Sequence, residues 1–345
     1  MKRIIIAFAV LLGVSSCYGD YVMDYEYSAA YATFQYDLRT FVYGEDVELG
    51  FTTALGGVLS NDRDRKVTVE IDNSILSSDL SVFDPRHMTA SFTAIDGVLG
   101  RAPLGAVSQD YVVNEVKASG ISSLAPLPES YYTTSGPVTI RKGYHTGNLL
   151  LYPTDDMFTD SKILKPYYAL GFVIKDADVD TVLVSKSFQI MVVKVENRFW
   201  GNWYHGGRKV VVNNSTGVIT SDQRYELTFP QQDAAVCSMT TESFNTVLTN
   251  KLSNEGGSLR LTFNDNNDEI QVEDASGTRD LRAILGQPSH HNGAKLIQDR
   301  ELYLNYSFTD GNGSTTYVTD TLRFRNRIRD GINEWQDENT ENYNL

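Results

Sequence analysis

The chain reads as an all-β protein of two domains, and three observations predict this. Apolar and polar residues alternate over short runs, as Val67, Val69 and Ile71 do against Thr68 and Glu70, which is the period of a half-buried strand. Such runs recur on both sides of one glycine-punctuated aromatic stretch, Asn197 to Val210. No stretch shows strong helical periodicity. Before the aromatic stretch, about seven short strands separated by turns predict an immunoglobulin-like sandwich. After it, eight or so antiparallel strands in about 130 residues fit a small up-and-down barrel or a second sandwich.

In chain order, Met1-Lys2-Arg3, the apolar run Ile4 to Val14, and Ser15-Ser16 before Cys17 have the layout of an export signal. The run is too short to span a bilayer, which takes about 20 residues. Val14-Ser15-Ser16-Cys17 resembles a bacterial lipobox, which predicts cleavage after residue 16 and acylation of Cys17. Residues 17–31, rich in Tyr, Asp and Glu, are expected to be a flexible tether. The sandwich is placed at 32–196, with a long irregular insertion at about 74–130 that holds Pro85, Pro103, Gly105, Gly120, Pro126 and Pro128. The second domain is placed at 197–335 and a polar tail at 336–345. Within that second domain Leu302, Leu304, Tyr306 and Phe308 share one face of a strand, and Asp310-Gly311-Asn312-Gly313 turns it into the next.

Charge narrows the function. The formal net charge is −14, and loss of Lys2 and Arg3 with the signal takes it to −16, a surface that repels nucleic acid and anionic membranes. Acyl chains rather than electrostatics must then hold the protein to lipid. With Cys17 acylated, Cys237 is left alone, so neither a disulfide within the mature chain nor a cysteine-rich zinc site is expected. Cys237 alternates with Ala235 and Met239 and is expected to be an inert core thiol.

Two groups of residues have binding chemistry. Trp200, Trp203 and Tyr204 with Asn202 and His205 offer flat rings and fixed polar groups, which together suit a sugar. The same rings suit packing at a joint equally well. Arg323, Arg325, Arg327 and Arg329 are spaced by two, so in a continuous strand they line one face at roughly 6.7 Å intervals. They can grip anionic groups such as uronate or sulfate, or pair with the chain's own carboxylates. Asp176, Asp178 and Asp180 match no full calcium loop, and His290-His291 has no third metal ligand in sight. HExxH, GxSxG and P-loop motifs are all missing from the sequence, and no carboxylate pair stands out. The expectation is a non-enzyme without cofactor. An adhesin or fimbrial subunit is the alternative, and a hydrolase with an unrecognised site comes third.

Four stretches carry a family resemblance: Phe34 to Glu45 with its Arg39-Thr40 pair, Leu127 to Tyr132 leading into Val138 to Gly147, Asn197 to Gly207, and the thirteen residues Arg323 to Trp335. They resemble lipoproteins of Bacteroidota polysaccharide-utilisation loci, which have a β-sandwich N-terminal domain and a lipocalin-like C-terminal domain. The same N-terminal domain also precedes family-18 endoglycosidases, but the Asp-x-x-Asp-x-Asp-x-Glu string of those enzymes is absent here. The resemblance implies a lipid-anchored outer-membrane surface protein that holds glycan beside a glycan transporter and its lid lipoprotein. The insertion at 74–125 is longer than the family pattern.

Overall fold

A computed structural model describes residues 27–45, 47–76, 104–121, 123–225, 236–264 and 267–337. The expected signal, Cys17 and most of the tether lie outside these residues, and the tether expectation is corrected at its end, where Ala29–Ala32 is a largely buried strand paired with Leu49–Gly56. The chain forms two compact units, one comprising Met1–Arg39 and Val47–Lys194, the other Thr40–Asp46 and Val195–Leu345. Strands dominate both.

The first unit is built on two sheets. One runs Thr181–Val182, Ala29–Ala32, Leu49–Gly56, Thr146–Pro153, Tyr132–Thr134, and the other Tyr36–Tyr43, Phe188–Asn197, Tyr168–Ala177, Arg65–Ile71, Val138–Ile140. Phe51 of the first sheet stacks on Phe172 of the second, with ring centroids 5.0 Å apart, so alternate residues of each sheet share one core.

A helix, Leu104–Ala118, forms inside the stretch read from sequence as a long irregular insertion, where no strong helical periodicity shows. Its Val112 and Val116 pack with Tyr36, Leu38, Ala169, Ile190 and Val192 of the second sheet, covering the face that does not meet the first. That second cover explains why Tyr168 to Phe172 is buried without alternation, a pattern expected of a strand enclosed on both faces. The helical signal was masked because its contact residues are valines, which favour strands. Its end was legible: Gly120 has φ +75°, and the amides of Gly120 and Ile121 donate back to Lys117 and Val116, a Schellman cap.

The second unit is one sheet curled on itself. Its strands run Ile270–Asp274, Leu259–Phe263, Thr246–Thr249, Val236–Ser243, Gly201–Asn213, Ser314–Arg329, Glu301–Thr309, Arg282–Ala283. The long Ser314–Arg329 strand is the spine, paired along both edges. An isolated bridge between Glu269 and His290, with His290–His291 pairing onto Tyr303 and Leu302, makes the barrel nearly closed. The His290-His291 pair, weighed above as a metal guess, thus serves the seam. Leu302, Leu304 and Tyr306 point inward as expected, joined by Trp203, Cys237, Leu261, Val318, Leu322 and Phe324. The resemblance implied a lipocalin-like barrel; this barrel's middle is filled with side chains. Cys237 is buried there, and burial pushes its thiol up to about 12, which keeps it protonated and unreactive.

Candidate functional site

The Gly201–Asn213 strand separates the aromatic residues that the sequence places together. Trp203, His205 and Lys209 face the interior, while Asn202, Tyr204 and Arg208 face outward, as period-two geometry requires. Trp203 is 0% exposed. Its ring meets Phe324 edge-on at 5.5 Å, and its indole N–H donates to the Phe199 carbonyl at 3.0 Å. It is a core residue, and the expectation that it offers a face to a ligand is corrected.

His205 is corrected likewise, because it lies inside the barrel with its Nε2 3.2 Å from Asp320 Oδ2, though out of line for a hydrogen bond. The hydroxyl of Tyr225 donates to Asp320 Oδ1. Gly207 makes room for this carboxylate, since a Cβ there would stand 2.5 Å from Asp320 Oδ1. Burial, then the charge and hydrogen bond of Asp320, push the Tyr225 phenol well above its ordinary value. Trp200 is half-buried under the Arg327 guanidinium, 5.6 Å from the ring centroid.

The arginine row does not form one face. The register slips between Asn202 and Trp203, whose partners are Asn326 and Phe324, so Arg325 is the extra residue of a bulge and the two halves of the row turn apart. Arg323 pairs with Glu301 at 2.6 Å, Arg327 with Glu45 and Glu334, and Arg329 with Glu334 at 2.5 Å. For these three the anion-binding expectation is corrected: their charge is met within the chain. Glu45 also accepts from Arg300 Nη1 at 2.7 Å. Burial alone would raise the Glu45 carboxyl, but the hydrogen bond and charge of Arg327 and the charge of Arg300 outweigh it and hold it at about 2.

Two predicted residues do come together, with one the sequence analysis left unassigned. Tyr204 and Arg325 line a groove of about 400 Å³ on the second unit, together with Gln298, Phe324, Asn326, Asn333 and Trp335. The Arg325 guanidinium lies 5.8 Å from the Tyr204 ring centroid, within cation–π range. Trp335 is 57% exposed. Asn202, predicted as a ligand contact, instead supports the groove through a relay of amides. The Ser238 hydroxyl donates to Asn202 Oδ1 at 2.8 Å, Asn202 Nδ2 to Asn326 Oδ1 at 3.3 Å, and Asn326 Nδ2 to Asn333 Oδ1 at 2.6 Å. Each amide is thereby oriented, and Asn333 Nδ2 keeps a donor with no partner among the described residues. Trp335 closes the Arg323 to Trp335 string quoted above, which was the signal that could have found it.

A larger cleft, about 780 Å³, opens elsewhere on the barrel. Its aromatic lining residues, Phe263 and Tyr306, are 3% and 1% exposed, so it offers no open ring face. Size favours that cleft, whereas stacking chemistry favours the groove.

No family model matches the chain, and no curated protein matches it in sequence. Among solved structures, a Bacteroides ovatus protein of unknown function is similar at a TM-score of 0.59 and 18% identity, over 91% of this chain and 99% of its own. That likeness shows a shared all-β fold. A Bacteroides ovatus multidomain protein including DUF1735 aligns at a TM-score of 0.37 and 12% identity over 90% of this chain and all of its own. An auxiliary nutrient binding protein from Bacteroides thetaiotaomicron aligns at 0.35 and 13%, over 86% and 95%. These two scores are too low to carry the comparison further.

Proposed function

We propose that this chain is a non-catalytic carbohydrate-binding lipoprotein, anchored through Cys17 at the outer-membrane surface as an accessory of a starch-utilisation-like glycan-uptake system. The observation that carries the reading is the groove in which Trp335, largely exposed, borders Tyr204 and Arg325. The exposed indole offers a flat apolar face on an acidic barrel, and the C–H face of a sugar ring stacks well on such a face. The oriented amides of Asn326 and Asn333 supply hydroxyl-directed hydrogen bonds at the same place, and Arg325 can meet an acidic substituent. Among the described residues the groove's lining includes neither a carboxylate nor an imidazole, so these residues supply no obvious general acid or base. That favours holding over hydrolysis.

The anchor and the partners, a glycan transporter and its lid lipoprotein, rest on the sequence resemblance alone. A glycan-array screen of the soluble Tyr18 to Leu345 chain, repeated with Trp335→Ala, tests the binding reading. Hits that disappear in the variant support it; hits that are unaffected move the site elsewhere.

A further inference from the structure

The larger cleft lies where the barrel sheet is incomplete, between the Ile270–Asp274 strand and the Arg282–Ala283 and Glu301–Thr309 strands. On that gap the outer strand is held by little. Ile270 donates to the Ser289 carbonyl and His291 to the Asp268 carbonyl, and beyond Ile270 the pairing stops.

The ladder phase shows what this leaves in the cleft wall. Asn264 N–H donates to the Glu269 carbonyl and Ala275 N–H to the Ser258 carbonyl. With the register Thr262 to Gln271 and Arg260 to Glu273, the odd-numbered residues spend their backbone groups on the inner neighbour. The N–H and C=O of Val272, which lines the cleft, therefore face the gap, and neither has a partner among the described residues. A partly sheltered backbone donor and acceptor left open calls for water or for a hydroxylated ligand.

Charge adds a second requirement. Among the described residues the cleft lining contains Glu269 and Glu273 and no lysine, arginine or histidine. Glu273 is engaged by Gln271 Nε2 at 2.8 Å, and its cross-strand neighbour Arg260 is committed to Glu242 in a two-pronged pair. Glu269 has no cation and no side-chain hydrogen bond among the described residues. The remaining polar lining is neutral, with amides such as Asn245 and Asn305 and hydroxyls such as Thr262 and Ser289, and Leu281 supplies an apolar patch. The volume of about 780 Å³ is within the range of small-ligand sites.

From this combination we infer that the cleft is a second carbohydrate site, selective for sugars bearing a free amine, with the ammonium placed at Glu269 and ring hydroxyls at the Val272 backbone and the cleft amides. A neutral sugar would leave Glu269 without a partner, and a simple diamine would leave the amides and the Val272 groups unused. The site is separate from the groove at Trp335 and does not depend on it.

The test is calorimetric titration of the full chain with the β-1,4-linked tetramer of glucosamine, at a pH where its amines are protonated, beside the N-acetylated tetramer. The glucosamine tetramer should bind, weaken as salt is added, and exceed its acetylated counterpart by about tenfold or more, the scale of one charge-assisted hydrogen bond. Glu269→Gln should remove that preference with an unchanged melting curve, because the side chain is exposed and structurally unengaged. Equal affinity for the two tetramers, no binding of the glucosamine tetramer to the wild-type chain, or an unaltered preference in Glu269→Gln overturns the inference. The acetylation and salt comparisons on the wild-type chain stand even if the variant misfolds.

Discussion

Arg327 sets its Nη1 and Nη2 against the two oxygens of Glu45 at 2.9 and 2.8 Å, with 3% and 4% of the two side chains exposed. A buried, two-pronged ion pair of this kind is strongly asymmetric: removing one member leaves the other charge dry and uncompensated. Arg300 joins the same carboxylate and also donates to the Arg198 carbonyl at 2.7 Å. Glu45 thus fixes one end of the Thr40–Asp46 segment within its unit, while Thr40 at the other end is held by Asp330 through its amide and hydroxyl.

Glu45→Gln should destabilise the fold by roughly 3 to 5 kcal/mol, the cost of breaking a buried pair from one side. The effect has a pH signature. The folded carboxyl is held at about 2 against an ordinary 4.5, so its contribution is fully present above the unfolded value and is lost as pH falls toward the folded one. Melting curves of wild type and variant should be far apart at neutral pH and converge below about pH 4. A gap that does not change with pH contradicts the assignment.

Gly207→Ala tests the barrel's buried polar cluster. The new Cβ would lie 2.5 Å from both Asp320 Oδ1 and the Thr319 carbonyl. The backbone oxygen cannot yield without disturbing the ladder, so the expected loss is about 1 to 3 kcal/mol, read as a lower denaturant midpoint. An unaltered midpoint would mean that the strand shifts freely at this position.

The anchor is tested separately. Cys17→Ser should abolish acylation, and the protein should leave the detergent phase in a partition assay. Persistence of the variant in that phase refutes the lipobox reading, whatever the barrel binds.

What could be read from the sequence was what depends on near neighbours. The inward row Leu302, Leu304, Tyr306 and the turn at Asp310, whose amide and carboxylate both bond Ser314, follow from alternation and turn chemistry alone. The role of Glu45 was not legible, because its partners are 255 and 282 positions away and nothing local marks it. The arginine row misled for a different reason: spacing by two implies one face only in an unbroken ladder, and a bulge leaves no reliable mark in residue spacing. The aromatic stretch misled because alternation, applied there too, separates Trp203 from Tyr204, and composition cannot say which of the two faces is the interior.

Trp335 and Trp203 form the sharpest pair of comparisons. Both are tryptophans of one compact unit, one largely exposed in the groove and the other wholly buried against Phe324 and Phe199. Trp203→Ala should cost roughly 3 to 5 kcal/mol of stability through lost burial and the cavity left behind. Trp335→Ala should leave the midpoint nearly unchanged, since little of its ring is packed, yet weaken binding of any glycan found in the screen. A stacked aromatic that dominates a small site is worth about 2 kcal/mol or more, which is about thirtyfold in affinity. Calorimetric titration and a melting curve on the same two variants separate the roles. If Trp335→Ala instead lowers the midpoint as much as Trp203→Ala while affinity is retained, the exposed indole is serving the fold, and the glycan must be held elsewhere on the barrel.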